Sequence, residues 1–205
     1  MTTDDTNLRT AVRRGYDALA ADYDAVRDDS ELPDTLVDAL ASVPEGSRLL
    51  DAGCGGGRGV LGPLGDRFDA VGLDVSRAQL DLAAERAPDA ALAQGDMSRL
   101  PYADDTFDAV TALHSIIHVP TDEHAAVYRE FRRVLRDGGV AVVAAGTENW
   151  EGENDDWLDS GATMRWSILG EEETEAALAD AGFEVVESEL VESDAGGTWR
   201  YYWLA

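Results

Sequence analysis

Short apolar runs alternate with segments of helical periodicity along most of the 205-residue chain. The runs begin at residue 47 and recur at 68–76, 90–94, 109–113, 140–145, 183–187 and 198–204. Between most of them, apolar residues return every three or four positions, which is typical of amphipathic helices. Strands that alternate with helices at this spacing predict an α/β fold with a doubly wound, mostly parallel sheet.

Helical periodicity is clearest near the start of the chain, at residues 5–27. Tyr16 and Tyr23 lie seven positions apart there and share one face of the predicted helix. These two tyrosines either pack in the core or help to cover a ligand. The other helices are expected from Pro33 to Ala41, from the glycine-rich stretch to Arg67, from Ser76 to Pro88, from Thr121 to Leu135 and from Glu171 to Ala181.

The first apolar run breaks into glycines, in the order Asp51, Gly53, Gly55 and Gly57. Glycine lets the backbone approach a ligand closely, because no Cβ stands in the way. The spacing differs from the Gly-x-Gly-x-x-Gly of dinucleotide-binding proteins, and an acid at this place would repel a pyrophosphate. It suits a ligand with a cationic end, such as an amino group beside a sulfonium. The alternative is a tight turn with no ligand, and Cys54 within it is expected to be a small buried side chain.

Two more acids follow predicted strands. Asp74 comes 23 residues after Asp51, at the end of the second apolar run. An acid there can accept hydrogen bonds from a ribose, and the alternative is a cap for the next helix, which Ser76 can also provide. Asp96 follows the third run, where it can accept a bond from an exocyclic amine while Met97 lies against a flat ring. The alternative for Asp96 is a polar loop residue.

Two histidines, His114 and His118, follow the fourth apolar run and are four residues apart. They can line a pocket, make structural hydrogen bonds, act as a base or share a metal ion. Because the sequence puts no third ligand in view, we predict no metal site. Thr121 is expected to cap the helix that comes next.

The segment 147–170 has no regular period and is expected to be irregular. It carries Trp150, Trp157 and Trp166 among many acids. Aromatic residues on an irregular segment at the carboxyl edge of a sheet suggest a pocket wall or lid. The alternative is a solvated insertion packed by its own tryptophans.

Composition narrows the function classes. The chain has 42 acids, 16 arginines and a net charge of −26, with no lysine. Such a surface repels nucleic acid and anionic lipid, so neither is expected as a partner. Acids spread through the whole chain indicate a halophilic protein whose charge is screened by molar salt. We also expect a cytoplasmic location, because the chain has a single cysteine, no signal peptide and no apolar run of about 20 residues.

Four stretches resemble, in order, the motif set of the class I S-adenosylmethionine-dependent methyltransferases. They read LLDAGCGGGRG, VGLDVS, GDMSRLPYADDTFDAV and LRDGGVAVVA. The chain looks most like the small-molecule subgroup of the ubiquinone and menaquinone biosynthesis methyltransferases, and its N-terminal stretch YDALAADYD also resembles that subgroup. The resemblance implies a Rossmann-like, seven-stranded sheet whose last strand is antiparallel, with a helical cover at the N-terminus.

The resemblance also implies a layout for the chain. Residues 1–205 would form a single methyltransferase domain. Its parts would be the N-terminal helices at 1–45, a cofactor-binding core at 46–146, a substrate-side insertion or lid at 147–170, and a C-terminal helix and strand hairpin at 171–205.

Site roles follow from the same resemblance. Asp51 and the glycine turn would hold the methionine end of S-adenosylmethionine, Asp74 the ribose hydroxyls and Asp96 the adenine amine. The implied cofactor contacts are Asp51, Gly53, Cys54, Gly55, Gly57, Asp74, Val75, Asp96, Met97 and His114. His114 falls where the family often places the residue that faces the methyl group, and it is the leading candidate for a catalytic base. The candidate substrate contacts are Tyr16, Tyr23, His118, Trp150 and Trp166.

These features predict methyl transfer from S-adenosylmethionine to a small-molecule acceptor by in-line displacement, leaving S-adenosylhomocysteine. The protein is expected to be a monomer or a homodimer. A non-catalytic S-adenosylmethionine-binding or scaffold protein stays open as an alternative. A nicotinamide-dependent oxidoreductase is a weaker one, because the glycine spacing, Asp51 and the lack of lysine disfavour it.

Overall fold

Strands and helices follow each other as the apolar pattern predicts. A computed structural model describes residues 3–26, 32–192 and 197–205. The strands in these ranges are β1 (Arg48–Ala52), β2 (Asp69–Asp74), β3 (Ala91–Gln94), β4 (Phe107–Leu113), β5 (Leu135–Gly146), β6 (Trp150–Trp157), β7 (Ala162–Ile168), β8 (Val185–Glu192) and β9 (Thr198–Leu204). The helices are α1 (Thr3–Val26), α2 (Asp34–Ala41), α3 (Leu61–Leu64), α4 (Arg77–Arg86), α5 (His124–Val134) and α6 (Glu171–Asp180).

Seven of the strands form one sheet in the order β3-β2-β1-β4-β5-β9-β8. The pairs from β3 to β5 are parallel, whereas β9 is antiparallel to both of its neighbours. The predicted doubly wound sheet with an antiparallel last strand is therefore confirmed. The strand order reverses between β1 and β4, and open α/β sheets bind their ligands at the carboxyl ends of the strands at such a point.

The sheet carries an apolar layer on each face. On one face α5 and α6 contribute Phe131 and Leu178 to a core that includes Leu50 and Val110. On the other face α2, α3 and α4 pack around Leu49 in a second core. The central strands are buried on both sides, which explains why they read as continuous apolar runs.

The helix predicted after the glycine turn is much shorter than expected. It consists of α3, which is four residues long, and one 3₁₀ turn at Gly65–Arg67. Gly62 and Gly65 have poor helix propensity, and Pro63 lacks the N–H that a longer helix would use. The expectation of a helix from the turn to Arg67 was therefore wrong in length.

Thr121 does not cap a helix. A 3₁₀ turn at Thr121–Glu123 precedes α5, and neither element has a side-chain cap. The Thr121 Oγ1 atom donates instead to Glu151 Oε1, at 3.4 Å. Ser76, by contrast, caps α4 as predicted, since its Oγ accepts from the Gln79 N–H at 3.2 Å.

The segment predicted to be irregular contains a β-hairpin. Strands β6 and β7 pair antiparallel and are separate from the main sheet. Ala162 and Met164 of β7 pack on Val12 and Leu19 of α1 in a third apolar cluster. The expectation failed because the acidic residues of β6 are exposed, and β7 buries only Ala162, Met164 and Ser167. An alternating pattern was therefore too weak to recognise.

Candidate functional site

A cleft opens at the carboxyl edge of the main sheet, beneath α1. Two adjoining cavities of about 730 and 710 Å³, which include the space open to solvent, make up this cleft. They share Tyr23, Gly53, Gly55 and His114 in their walls. The residues that follow β1, β2, β3 and β4 meet here because those parallel strands all end at the same edge.

The glycine turn forms the floor between the two cavities. Gly53 and Gly57 both have φ of 78° and Gly55 has φ of 51°, a region that favours glycine. A Cβ on Gly53 would also stand 2.2 Å from the Cβ of Ser115. The turn therefore needs glycine at position 53 both for its conformation and for the approach of the loop after β4.

Asp51 lies at the end of β1 and is almost completely buried. Its Oδ1 accepts a hydrogen bond from Thr111 Oγ1 at 2.8 Å. Burial raises the pKa of Asp51 to about 7, and the negative charge of Asp74 adds to that rise. A cationic group placed beside Asp51 would stabilise the ionised carboxylate and bring this pKa down.

Asp74 joins the glycine turn to the start of α4. Its Oδ2 accepts from the Gly55 N–H at 2.9 Å and its Oδ1 from the Ser76 N–H at 2.8 Å. Burial raises the pKa of Asp74 to about 6, against these backbone hydrogen bonds. Asp74 and the next residue, Val75, line the cleft, and the helix cap that was the alternative role is filled by Ser76.

Asp96 lines the cleft but is held by a residue that sequence reasoning missed. Arg9 of α1 places its Nε 2.8 Å from Asp96 Oδ2, and its Nη2 contacts Ser98 and Glu123. Met97 is buried beside it in the same wall. Arg9 is 87 positions from Asp96 in the sequence, so no local pattern could have paired them.

A second ionic contact holds the other end of α1. Asp24 accepts from Arg58 Nε at 2.8 Å, from Arg58 Nη2 at 2.9 Å and from Arg86 Nη2 at 3.0 Å. The hydrogen bond from Arg58 is the main cause that lowers the pKa of Asp24. Arg86 also contacts the carbonyl of Gly56. Charged pairs therefore attach α1 to the glycine turn and to α4.

His114 stands between the two cavities with φ of 53°, unusual for a residue with a side chain. Its Nε2 lies 2.7 Å from Tyr201 Oη, and its ring meets the edge of Trp199 at 4.8 Å between centroids. Sequence reasoning missed Tyr201, since it lies in the last strand.

His118 and Tyr16 form a second histidine–tyrosine pair in the cleft wall. Tyr16 Oη is 2.9 Å from His118 Nε2, and His118 Nδ1 is 2.7 Å from the Arg165 carbonyl oxygen. Burial lowers the pKa of His118 to about 4. The two histidines thus bond different partners, and no cluster of three or more potential metal ligands occurs in the described part of the chain.

The predicted aromatic contacts divide between two places. Tyr16 and Tyr23 line the cleft, packed edge to face at 5.3 Å, with Trp157 at 5.4 Å from Tyr23. Trp166 lines a different cavity on the hairpin, and Trp150 is half exposed there. Thus the structure brings the two tyrosines and His118 together but leaves Trp150 and Trp166 outside the cleft walls.

Cys54 behaves as a packed side chain. It is buried, and its Sγ would lie 2.9 Å from a Cβ placed on Gly72. Burial raises the pKa of the Cys54 thiol well above its usual value, so the thiolate form is disfavoured.

The chain is similar to known methyltransferases. Residues 50–143 match the family model described as a methyltransferase domain. A demethylmenaquinone methyltransferase from Renibacterium salmoninarum is 35% identical over 135 residues, covering 63% of this chain and 56% of that protein. A 27-O-demethylrifamycin SV methyltransferase from Amycolatopsis mediterranei is 31% identical over 182 residues, covering 80% of this chain and 65% of that protein. The chain therefore spans between 56% and 65% of the length of these two curated relatives.

Solved structures share the fold. The magnesium protoporphyrin IX methyltransferase ChlM of Synechocystis PCC 6803, solved with bound S-adenosylhomocysteine, superposes with a TM-score of 0.73. The two chains are 16% identical over 96% of this chain and 98% of that one. At this identity the likeness shows a common fold alone. In the ranges that the structure describes, no helix is long and apolar enough to cross a membrane.

Proposed function

This chain belongs to the class I S-adenosylmethionine-dependent methyltransferases, and from that membership we propose that it methylates a small-molecule acceptor. One observation carries the proposal. Asp51 and Asp74 lie at the carboxyl ends of β1 and β2, Asp96 lies just after β3, and all three line one cleft around a glycine turn. These three carboxylates suit a ligand that has a cationic end, a ribose and an exocyclic amine.

The charge of the cleft supports a cationic methyl donor. Asp51 and Asp74 are buried acids with raised pKa values, so each gains from a positive group placed nearby. In the proposed arrangement Asp51 and the turn hold the amino acid end, Asp74 the ribose and Asp96 with Met97 the adenine. Arg9 of α1 also forms an ion pair with Asp96, so α1 is attached to the part of the cleft proposed to hold the adenine.

The bound donor would supply an activated methyl group on a sulfonium. The protein residues align the acceptor behind that group and keep water out, and such proximity and orientation can contribute about 7 to 11 kcal/mol. His114 lies between the two cavities and is proposed to face the methyl group. Tyr16, Tyr23 and His118 form the neighbouring wall and are proposed to contact the acceptor.

The acceptor is proposed to be small because the two cavities of the cleft measure about 730 and 710 Å³, space open to solvent included, and side chains of α1 line both of them. The named relatives act on a demethylmenaquinone and on a rifamycin, which supports a small organic acceptor here. The net charge of −26 argues against nucleic acid as a partner. We further propose a cytoplasmic, halophilic protein that is a monomer or a homodimer.

Transfer of a radiolabelled methyl group to an acceptor panel, in molar potassium chloride, tests the proposal. His114→Ala is expected to lower turnover while leaving affinity for S-adenosylmethionine nearly unchanged. A collapse of that affinity would instead place His114 in the donor site. Binding of the donor with no product from the whole panel would favour the non-catalytic alternative.

A further inference from the structure

Gln79 of α4 lines both cavities of the cleft, although no sequence motif pointed to it. The residue is 2% exposed, and its Nε2 has no hydrogen-bond partner within residues 3–26, 32–192 and 197–205. We propose that the carboxamide of Gln79 binds a ribose hydroxyl of the methyl donor, together with Asp74. The inference rests on the proposed function and deepens it, since it names a further donor-binding residue and the group that this residue recognises.

The fold brings Gln79 next to Asp74. Asp74 is the last residue of β2, and α4 begins at Arg77. Gln79 lies in the first turn of α4, where its backbone N–H donates to Ser76 Oγ at 3.2 Å. Asp74 Oδ2 accepts from the Gly55 N–H at 2.9 Å, and Gln79 Oε1 would lie 3.6 Å from a Cβ placed on Gly55. The two side chains therefore border the same point of the glycine turn and line the same cavity.

The unpaired amide of Gln79 lowers the stability of the free protein. A buried N–H group without a partner loses its hydrogen bonds to water without replacing them. Buried polar side chains normally have a partner, so an exception needs an explanation. The backbone N–H of Gln79 is bonded to Ser76, but Nε2 is not bonded in the part of the chain that the structure describes. A ligand that fills the cleft would supply the missing partner.

The hydrogen-bonding chemistry of the two side chains suits a hydroxyl group. A carboxylate only accepts hydrogen bonds, whereas a carboxamide offers two N–H donors and an acceptor oxygen. A carboxylate has about four acceptor positions, and three backbone N–H groups donate to Asp74, so at least one position remains for a ligand. A hydroxyl that donates to Asp74 still has lone pairs on its own oxygen, and Gln79 can donate an N–H to them. Asp74 and Gln79 together thus satisfy both functions of a hydroxyl.

The position of Gln79 between the two cavities favours the ribose. Asp74 and Met97 line one cavity, where the adenine is proposed to lie. Asp51 lines the other cavity, where the amino acid end is proposed to lie. The ribose of S-adenosylmethionine joins these two parts of the molecule, so a residue common to both cavities is placed to contact it. The amino acid carboxylate is the competing partner for the N–H of Gln79, and analogues that lack one group or the other separate the two.

A substitution that keeps the length of the side chain tests the role. Gln79→Met has a similar shape but neither the N–H donors nor the carbonyl oxygen. Calorimetry measures the affinity of the wild type and the variant for S-adenosylhomocysteine and for its 2′-deoxy, 3′-deoxy and decarboxylated analogues. We expect Gln79→Met to weaken the binding of S-adenosylhomocysteine by about 3- to 10-fold, the range for one neutral hydrogen bond. This loss should disappear with the deoxy analogue that lacks the hydroxyl bound by Gln79, and it should persist with the decarboxylated analogue.

Gln94→Met is the matched control, since it makes the same substitution at a paired amide. Gln94 is not among the residues that line the cleft, and its Nε2 donates to the Val75 carbonyl at 2.9 Å. The control should leave the ratio of affinities for S-adenosylhomocysteine and its deoxy analogues as in the wild type. A control that changed this ratio as much as Gln79→Met does would overturn the proposal.

Urea denaturation of the ligand-free protein gives a readout that needs no activity. Gln79→Met removes a buried donor without a partner, so it should keep or raise the urea midpoint of the free protein. Gln94→Met should not raise it, because its amide is already bonded. Saturating S-adenosylhomocysteine should then stabilise the wild type more than Gln79→Met, because the variant binds it less tightly. A clear fall in the midpoint of the free Gln79→Met protein would show that the amide supports the fold and would overturn the proposal.

The outcomes also separate this role from the proposed function. Equal losses of affinity for all four ligands would make Gln79 a packing residue of the turn and would overturn the role. A loss that disappears only with the decarboxylated analogue would assign Gln79 to the carboxylate and would overturn the role too. In both cases the wild type still binds the product, so the proposed function stands. Failure of the folded wild type to bind S-adenosylhomocysteine at all would instead refute the proposed function.

Discussion

Asp51 and Asp74 hold carboxyl groups that burial makes hard to ionise, and both lie beside the glycine turn of the proposed donor site. Both have raised pKa values, of about 7 and about 6. Neither has an arginine or lysine among its hydrogen-bond partners in the described residues. Ionisation of these two residues therefore lowers the free energy of unfolding of the protein, and a cation bound beside them would offset that loss.

Asp51→Asn tests this cost. The folded state binds the Asp51 proton more tightly than the unfolded state, so its contribution to stability is present below about pH 4 and is lost as the pH rises through about 7. The asparagine variant should therefore match the wild type at pH 4 and exceed its free energy of unfolding at pH 8, by up to about 4 kcal/mol. Urea denaturation at both pH values measures the difference. A variant that is less stable at pH 8 would contradict the assignment.

Gly53→Ala tests the glycine turn. The added Cβ would meet Ser115 at 2.2 Å in a residue with φ of 78°. Gly46→Ala is the matched control, because Gly46 has the same φ with no atom within 4 Å of the new Cβ. The free energy of unfolding of the control should fall by roughly 1 to 2 kcal/mol from backbone conformation alone. Gly53→Ala should lower the free energy of unfolding by more, and it should also weaken the binding of S-adenosylmethionine. Equal losses in urea denaturation would mean that the close approach is not needed.

At the scale of elements, α1 is the piece that closes the cleft. It is attached by Arg9 to the loop after β3, by Asp24 to the glycine turn and α4, and by its apolar face to β7. Because side chains of α1 line both cavities of the cleft, we expect the strength of these contacts to affect how fast a ligand enters and leaves.

Asp24→Ala tests the attachment of α1. Loss of the bonds to Arg58 and Arg86 should increase hydrogen exchange in the C-terminal half of α1 and speed dissociation of S-adenosylmethionine. Asp22→Ala is the control, because this substitution removes the same charge from an exposed position on the same helix. Stopped-flow and exchange measurements compare the two. Unchanged exchange in α1 after Asp24→Ala would show that the contact does not hold the helix.

Some of these features could be predicted from the sequence and others could not. The acids at the ends of β1, β2 and β3 could be recognised because each follows a buried apolar run, and parallel strands end at one edge. The hairpin of β6 and β7 could not, because β6 buries little and its acids hide the alternation. The contacts of Arg9 and Asp24 could not either, since their partners lie 34 or more positions away and depend on how α1 crosses the sheet. Local sequence patterns indicate which residues are buried, whereas these long-range contacts depend on tertiary packing.

At the scale of the whole molecule, the main feature is the large net negative charge. A net charge of −26 on 205 residues repels itself in the folded state. Arginine side chains pair with only part of the acids, as at Arg133 with Glu130 and Asp104. Ion pairs at the surface add little stability by themselves, so we expect screening by salt to offset part of the remaining repulsion.

Salt dependence tests the surface argument. The Debye length falls from about 10 Å at 0.1 M salt to about 3 Å at 1 M. The urea midpoint of the chain should therefore rise steadily with potassium chloride. Sucrose, which is excluded from protein surfaces without screening charge, serves as the control. A midpoint that is the same at both salt concentrations would contradict the role of self-repulsion.

The most direct test of the central claim is a calorimetric titration of the purified chain in molar potassium chloride with S-adenosylmethionine, S-adenosylhomocysteine and NAD in turn. The account predicts that the first two bind, and that Asp74→Ala and Asp96→Ala weaken both. Binding of NAD alone, or binding of none by a folded protein, would contradict the assignment of this cleft to a methyl donor.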